Sequence, residues 1–207
     1  MMGVDPAAHW QRLYETRTAD EVSWYEPVPE RSLELIRATG IPLEAPILDV
    51  GGGASLLADH LLASGYTDIS VLDLSPAALA QARARLGPAA GRVTWIAADI
   101  TSFVPERRYA LWHDRAVFHF ILRPDEQRRY LAALRKGLAP HGHVVLATFG
   151  PGGPERCSGL PVQRYSVAAL EVLLGPGFQL RSSRIEQHRT PGGETQEFLY
   201  TWWQATP

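Results

Sequence analysis

Cysteine and lysine are almost missing from this chain: Cys157 and Lys136 are each the single residue of their kind. One thiol excludes an intramolecular disulfide and a cysteine-based zinc cluster, which fits a reducing compartment and a cytoplasmic location. With one lysine, a hydride-transfer pair of the Tyr-x-x-x-Lys kind cannot form, because Tyr130 is wrongly spaced from Lys136. An excess of positive charge is lacking too, with 20 Lys and Arg against 22 Asp and Glu. No overall field attracts a phosphate backbone, so nucleic acid is not an expected partner. No apolar run approaches the ~20 residues of a membrane span, and no charged segment followed by an apolar one opens the chain, so neither a membrane partner nor a leader is expected.

The 207 residues, 45% hydrophobic and 20% charged, suit one α/β domain with a full core. No repeat or low-complexity tract divides them. Their organising stretch is Ile47-Leu48-Asp49-Val50-Gly51-Gly52-Gly53-Ala54-Ser55. An apolar run reaches an acid, breaks into glycines and meets a helical pattern over 56–62, the signature of a buried parallel strand turning sharply into a helix. Without a Cβ, Gly51 and Gly53 accept positive φ and let a ligand approach the backbone.

Before this turn, Asp5-Pro6 starts a helix carrying Trp10, Leu13 and Tyr14 on one face. Pro27 and Pro29 interrupt the aromatic segment around Trp24 and Tyr25, and a second helix runs from Pro29 to a stop at Gly40. After the turn, strands are expected over 69–73, 93–97, 109–113 and 143–149. Helices fall between them, one capped by Ser75-Pro76 and a long one from Pro124 through Leu138, with a turn at Pro140-His141-Gly142. Regular alternation means a parallel, doubly wound sheet. Residues 178–188 and 195–203, joined through Pro191-Gly192-Gly193, read as a terminal β-hairpin.

Three acids close successive strands: Asp49, Asp73 and Asp99. Asp73 lies roughly 20 positions beyond Gly51, where a carboxylate can accept both hydroxyls of an adenosine ribose. Ligands of open α/β sheets gather outside the carboxyl ends of the strands, so the three face one crevice.

With these residues in place, the chain resembles the class I S-adenosylmethionine-dependent methyltransferases. Asp49-Val50-Gly51-Gly52-Gly53 matches their first motif, Asp73 their second, Asp99-Ile100 their third, and 138–142 the turn before the fifth strand. The resemblance implies a Rossmann-like α/β fold, doubly wound around a mostly parallel seven-stranded sheet with a C-terminal antiparallel hairpin, one strand of it inserted beside the fifth. It also implies S-adenosylmethionine as cofactor, with the glycine turn at its methionine part, Asp73 and neighbouring Leu74 at the ribose, and Asp99 with Ile100 at the adenine. Ser55 replaces the third glycine of the motif, at a helix start where serine can cap or touch the cofactor. A dinucleotide would need three glycines for its pyrophosphate, so this departure weakens a nicotinamide reading.

A narrower likeness is to small-molecule thiopurine and tellurite methyltransferases, whose aromatic pattern is met by Trp10, Tyr14 and Trp24. By that likeness residues 1–45 form a helical cap or lid, 46–149 the cofactor core, and 150–207 the substrate loop, helix and hairpin of a single domain. Aromatic faces stabilise the cationic sulfonium and exclude water. Chemistry is expected after the fourth strand. His113 and His119 are candidate bases or packed core groups, and His113 also borders the cofactor. Asp114-Arg115-Ala116 resembles an element of thiopurine and some lysine methyltransferases, and Asp114 is a candidate catalytic group unless it only pairs with Arg115. The segment 150–161, rich in Gly and Pro, reads as an irregular substrate loop. Tyr25, Arg115, Cys157, Arg164 and Tyr165 are the candidate substrate contacts, and His188 reads as structural or exposed. No metal is called for. The acceptor is expected to be a small S, N or O nucleophile, with a protein lysine, or cofactor binding without catalysis, as alternatives. An Asn/Asp-Pro-Pro-Tyr/Phe element, used on DNA bases, is absent.

Overall fold

The computed structural model describes residues 5–206. Helix α1 (Pro6–Thr16) starts where Asp5 accepts the Ala7 N–H at 3.0 Å and proline takes the first turn. Helix α2 (Glu30–Ala38) follows, with Pro29 in the cap position rather than inside the helix. The core then alternates β1 (Ile47–Val50), α3 (Leu57–Ala63), β2 (Ile69–Asp73), α4 (Pro76–Leu86), β3 (Val93–Ala97), β4 (Tyr109–Arg115), α5 (Pro124–Gly137) and β5 (Leu138–Phe149). A short ribbon, β6 (Arg156–Cys157) with β7 (Leu160–Pro161), precedes α6 (Val167–Leu174) and the long strands β8 (Phe178–Arg189) and β9 (Thr195–Ala205). Among the described residues no helix is long and apolar enough to cross a membrane.

Seven strands form one sheet in the order β3-β2-β1-β4-β5-β9-β8. The first five are parallel, and β9 enters antiparallel between β5 and β8, as the resemblance implies. Strand residues alternate between two apolar layers. In β5, Val145, Ala147 and Phe149 join Leu33, Ile36 and Leu61 on the α2–α3 side, while Val144 and Leu146 join Leu134, Leu170 and Trp203 on the α5–α6 side. Because the chain runs from β1 outward to β3 and then returns to β4, a crevice opens beside the carboxyl ends of β1 and β4.

Three local expectations are corrected. Residues 139–142 do not end one element and begin another. β5 starts at Leu138 and carries them as a bulge, since Tyr109 pairs with Leu138 while Leu111 pairs with His143. His141 absorbs the distortion at φ 58°. β4 runs through Arg115, because Asp114 and Arg115 still pair with Leu146 and Ala147 and find buried polar partners. The segment 150–161 is partly regular: consecutive positive φ at Ser158 (48°) and Gly159 (77°) makes the tight turn that joins β6 to β7.

Trp203 lies on β9, fully buried against the α5–α6 layer. Trp203→Ala is expected to cost about 3–5 kcal/mol of unfolding free energy, read as a fall in the urea midpoint. An unchanged midpoint would mean that this layer is not a structural core.

Candidate functional site

The turn after β1 is built around missing side chains. Gly51 sits at φ 69° and Gly53 at φ 27°. A methyl group at Gly51 would collide with Val117, at Gly52 with Asp49 and at Gly53 with Asp73. The turn therefore lies flat against the carboxylates of Asp49, near the end of β1, and Asp73, the last residue of β2. Ser55 Oγ accepts the Leu57 N–H at 3.1 Å just before α3, whose cap position is held by Leu56.

Two clefts meet at this turn, and Tyr14, Trp24, Gly51 and Arg115 border both. The larger has about 950 Å³ of space, its mouth included, and runs along the ends of β2 and β3 past Asp73, Leu74, Asp99 and Ile100. Asp73 is buried, and its Oδ1 accepts the Ser75 N–H at 2.8 Å. Burial pushes its carboxyl up to about 7. Asp99 stands exposed at the mouth, where its Oδ1 accepts the Thr101 N–H at 2.7 Å and the Thr101 hydroxyl at 2.8 Å. The smaller cleft has about 550 Å³ and is bordered by Tyr25, Glu26, Ser32, Asp49, Gly52, Ser55 and His113.

Helix α1 and the loop 22–26 roof these clefts. Gln11 Oε1 accepts the Ser75 hydroxyl and the Ala77 N–H, both at 3.1 Å, while Gln81 Nε2 donates to the Tyr14 carbonyl at 2.7 Å. Trp10 meets Trp24 and Phe120 edge-on, at centroid distances of 5.5 and 5.0 Å. Arg115 fastens the loop: its guanidinium donates to the Trp24 carbonyl at 2.8 Å, to Glu26 Oε1 at 2.9 Å and to the Tyr200 hydroxyl at 2.7 Å. It also lies 4.7 Å from the centre of the Phe198 ring. His188, buried on β8, hydrogen-bonds the Ser23 carbonyl through Nε2 at 2.7 Å, so it has a structural part in the same fastening.

The remaining candidates divide. His113 borders the smaller cleft, but both ring nitrogens are engaged, Nδ1 with Asp49 Oδ1 at 2.7 Å and Nε2 with Ser32 Oγ at 2.9 Å. Asp114 does not pair with Arg115. Fully buried, it accepts the Val117 and Phe118 N–H groups and the Tyr130 hydroxyl, the last at 2.6 Å, and so shapes the chain just after β4. Burial raises its carboxyl to about 6. His119 borders neither cleft; its Nδ1 accepts the Phe149 N–H at 3.1 Å, and burial lowers it to about 3. Tyr165 is buried, and its hydroxyl accepts a hydrogen bond from Gln127 at 3.0 Å. Arg164 pairs with Glu155 at 3.1 Å. Cys157 is buried 3.9 Å from Ser23 Oγ, with burial raising its thiol to about 11. None of these last three borders either cleft. Sequence reasoning missed Gln11, Glu26, Ser32, Tyr130 and Tyr200. Glu26 adjoins the aromatic pair Trp24-Tyr25, a usable signal, whereas Ser32 becomes relevant only when α2 packs beside β4.

Residues 47–142 match a family model described as a methyltransferase domain. A curated relative, malonyl-[acyl-carrier protein] O-methyltransferase 1 of Ilyobacter polytropus, is 31% identical over 105 residues, covering 50% of this chain and 38% of its own. The chain spans less than half the length of the curated relatives it matches. Among solved structures, a SAM-dependent methyltransferase from Anabaena variabilis superimposes with a TM-score of 0.77 at 18% identity, over 98% of this chain and 96% of the other. The N-methyltransferase NodS of Bradyrhizobium japonicum, solved with S-adenosyl-L-homocysteine, gives 0.72 at 18% identity, over 98% and 100%. The fold is the Rossmann-like methyltransferase fold.

Tyr130→Phe is expected to cost about 2 kcal/mol, because it removes a donor from a buried carboxylate. Urea denaturation measures it, and a loss below about 0.5 kcal/mol would show that Asp114 does not depend on that hydroxyl.

Proposed function

We propose that this protein is an S-adenosylmethionine-dependent methyltransferase that passes a methyl group by direct displacement to a small-molecule sulfur, nitrogen or oxygen nucleophile. The observation that carries this reading is the meeting of two clefts at the glycine turn, with Asp73 on one side and Asp49 on the other. The residues fit the cofactor: without side chains the glycine turn packs directly on Val117, Asp49 and Asp73, so that Gly51 and Gly52 present bare backbone to the clefts, and the buried Asp73 carboxylate borders the larger cleft. When bound, the cofactor supplies a methyl carbon already activated by a sulfonium.

The chain's own residues then have separable tasks. Asp73, with Leu74 beside it, accepts the ribose hydroxyls, while Asp99 and Ile100 border the adenine. Gly51, Gly52 and Gly53 bring backbone close to the methionine part. Tyr14 and Trp24, at the junction of the clefts, stabilise positive charge with their ring faces and keep water out. Much of the acceleration comes from holding an acceptor in line with the departing sulfur. No general base is required. His119 is committed to backbone and His113 to two side chains, so the acceptor arrives with its lone pair free. A loop fastened by Arg115 and His188 favours an acceptor small enough to enter a cleft mouth. Tyr25 and Arg115 are its proposed contacts, and the protein's activity is assigned to the cytoplasm.

Incubation with methyl-labelled cofactor and a panel of small thiols, amines and carboxylates is expected to label the small-molecule fraction. Label on a protein band from lysate would replace the acceptor class, and absence of both turnover and binding would sink the reading. Asp73→Ala is expected to weaken S-adenosylhomocysteine binding at least ~10-fold, about 1.4 kcal/mol, by calorimetry. Because burial holds Asp73 protonated below about pH 7 and ribose hydroxyls donate to the ionised form, affinity should rise as pH rises through about 7. Asp73→Asn should flatten that rise; a flat wild-type profile would count against the ribose role. The linkage sign for folding is opposite: a raised carboxyl contributes stability fully present below its unfolded value near 4 and lost as pH passes its folded value.

A further inference from the structure

Asp49, next to the end of β1, lies opposite His113 of β4 in the parallel register, and both side chains are almost wholly buried. His113 Nδ1 takes Asp49 Oδ1 at 2.7 Å, and Ser32 Oγ, on α2, meets Nε2 at 2.9 Å. Ser32 is 0% exposed, so the three side chains form an unbroken polar chain through the core, from the helix behind the loop 22–26 to the glycine turn. With a neutral ring, Nδ1–H donates to the carboxylate and Nε2 accepts the serine hydroxyl proton. The other carboxylate oxygen, Oδ2, lies against Gly52, on the edge of the smaller cleft. The bond from His113 goes to Oδ1 and leaves Oδ2 outside it. A buried carboxylate is costly to hold in one rotamer with one oxygen free unless the other is anchored.

We infer that His113 and Ser32 are positioning residues: their chain fixes Asp49 so that its free oxygen receives the α-ammonium group at the methionine end of the cofactor. This rests on the proposed cofactor and deepens it, because it takes His113 out of direct contact with the reacting atoms and assigns Ser32 a task. The recognised chemistry is a primary ammonium, so the effect of His113 should be confined to ligands that carry one. It also makes cleft affinity depend on how α2 sits against β4, since Ser32 is the outer anchor of the ring.

Two probes separate this from a merely structural role: S-adenosylhomocysteine, which carries the ammonium, and 5′-methylthioadenosine, which lacks the amino-acid part. His113→Leu is expected to weaken the first at least ~10-fold, about 1.4 kcal/mol, and the second less than ~3-fold. His113→Asn, whose amide nitrogen can stand where Nδ1 was, should restore the first to within ~3-fold of the parent. Ser32→Ala, which keeps the Asp49 bond, should lose ~2–5-fold for the first probe only, and it carries the test if His113→Leu does not fold. Equal loss for both probes, no loss for either, or failure of His113→Asn to rescue overturns the inference. Failure of the parent protein to bind either probe would instead overturn the proposed cofactor.

Discussion

The close approach of the glycine turn to two carboxylates is the constraint from which the rest follows. Asp49 and Asp73 lie at or next to the ends of neighbouring parallel strands, and any side chain at Gly52 or Gly53 would push one of them aside. Burial makes both acids expensive, and the chain meets that cost locally with a histidine on Asp49 and a backbone N–H on Asp73. A second layer of commitments supports the first. Tyr130 and two backbone N–H groups hold Asp114, which shapes the run that places Val117 against Gly51.

The roof is fastened from the opposite side of the sheet. Arg115 comes from β4, Tyr200 from β9 and His188 from β8, and all three converge on the loop 22–26 or on its holder. The two clefts thus depend on the edge of the sheet farthest from β3, although no residue of β8 or β9 borders them. That arrangement gives the Ser23 and Trp24 carbonyls and the Glu26 carboxylate partners in a loop without regular structure.

Much of this was legible because its signals are local. Strand, acid and glycine stand in one run at 47–53, and Ser75-Pro76 and Asp5-Pro6 read directly as helix starts. The bulge at 139–142 reads as a turn in sequence because Pro140 and Gly142 punctuate in both settings, and only pairing with β4 decides between them. The side-chain commitments were less legible. His113 is an attractive base in sequence, yet its partners come from residues 49 and 32, brought together by strand register and helix packing. Asp114 next to Arg115 suggests an ion pair, but successive residues of a strand face opposite sides of the sheet, and each found its partner there. The candidates of the segment 150–165 failed to reach the clefts for a similar reason: Cys157 and Tyr165 turn inward to fill apolar layers.

β9 lies later in the chain than every other strand, yet it occupies an interior place between β5 and β8. Until it arrives, the β5 margin offers open amides and carbonyls, and the α5–α6 layer lacks Trp203. A nascent chain lacking this strand would hold the glycine turn and its acids but not Tyr200, the anchor that steadies Arg115. Until β9 pairs, the roof lacks that anchor and the unpaired β5 margin is exposed to stray association.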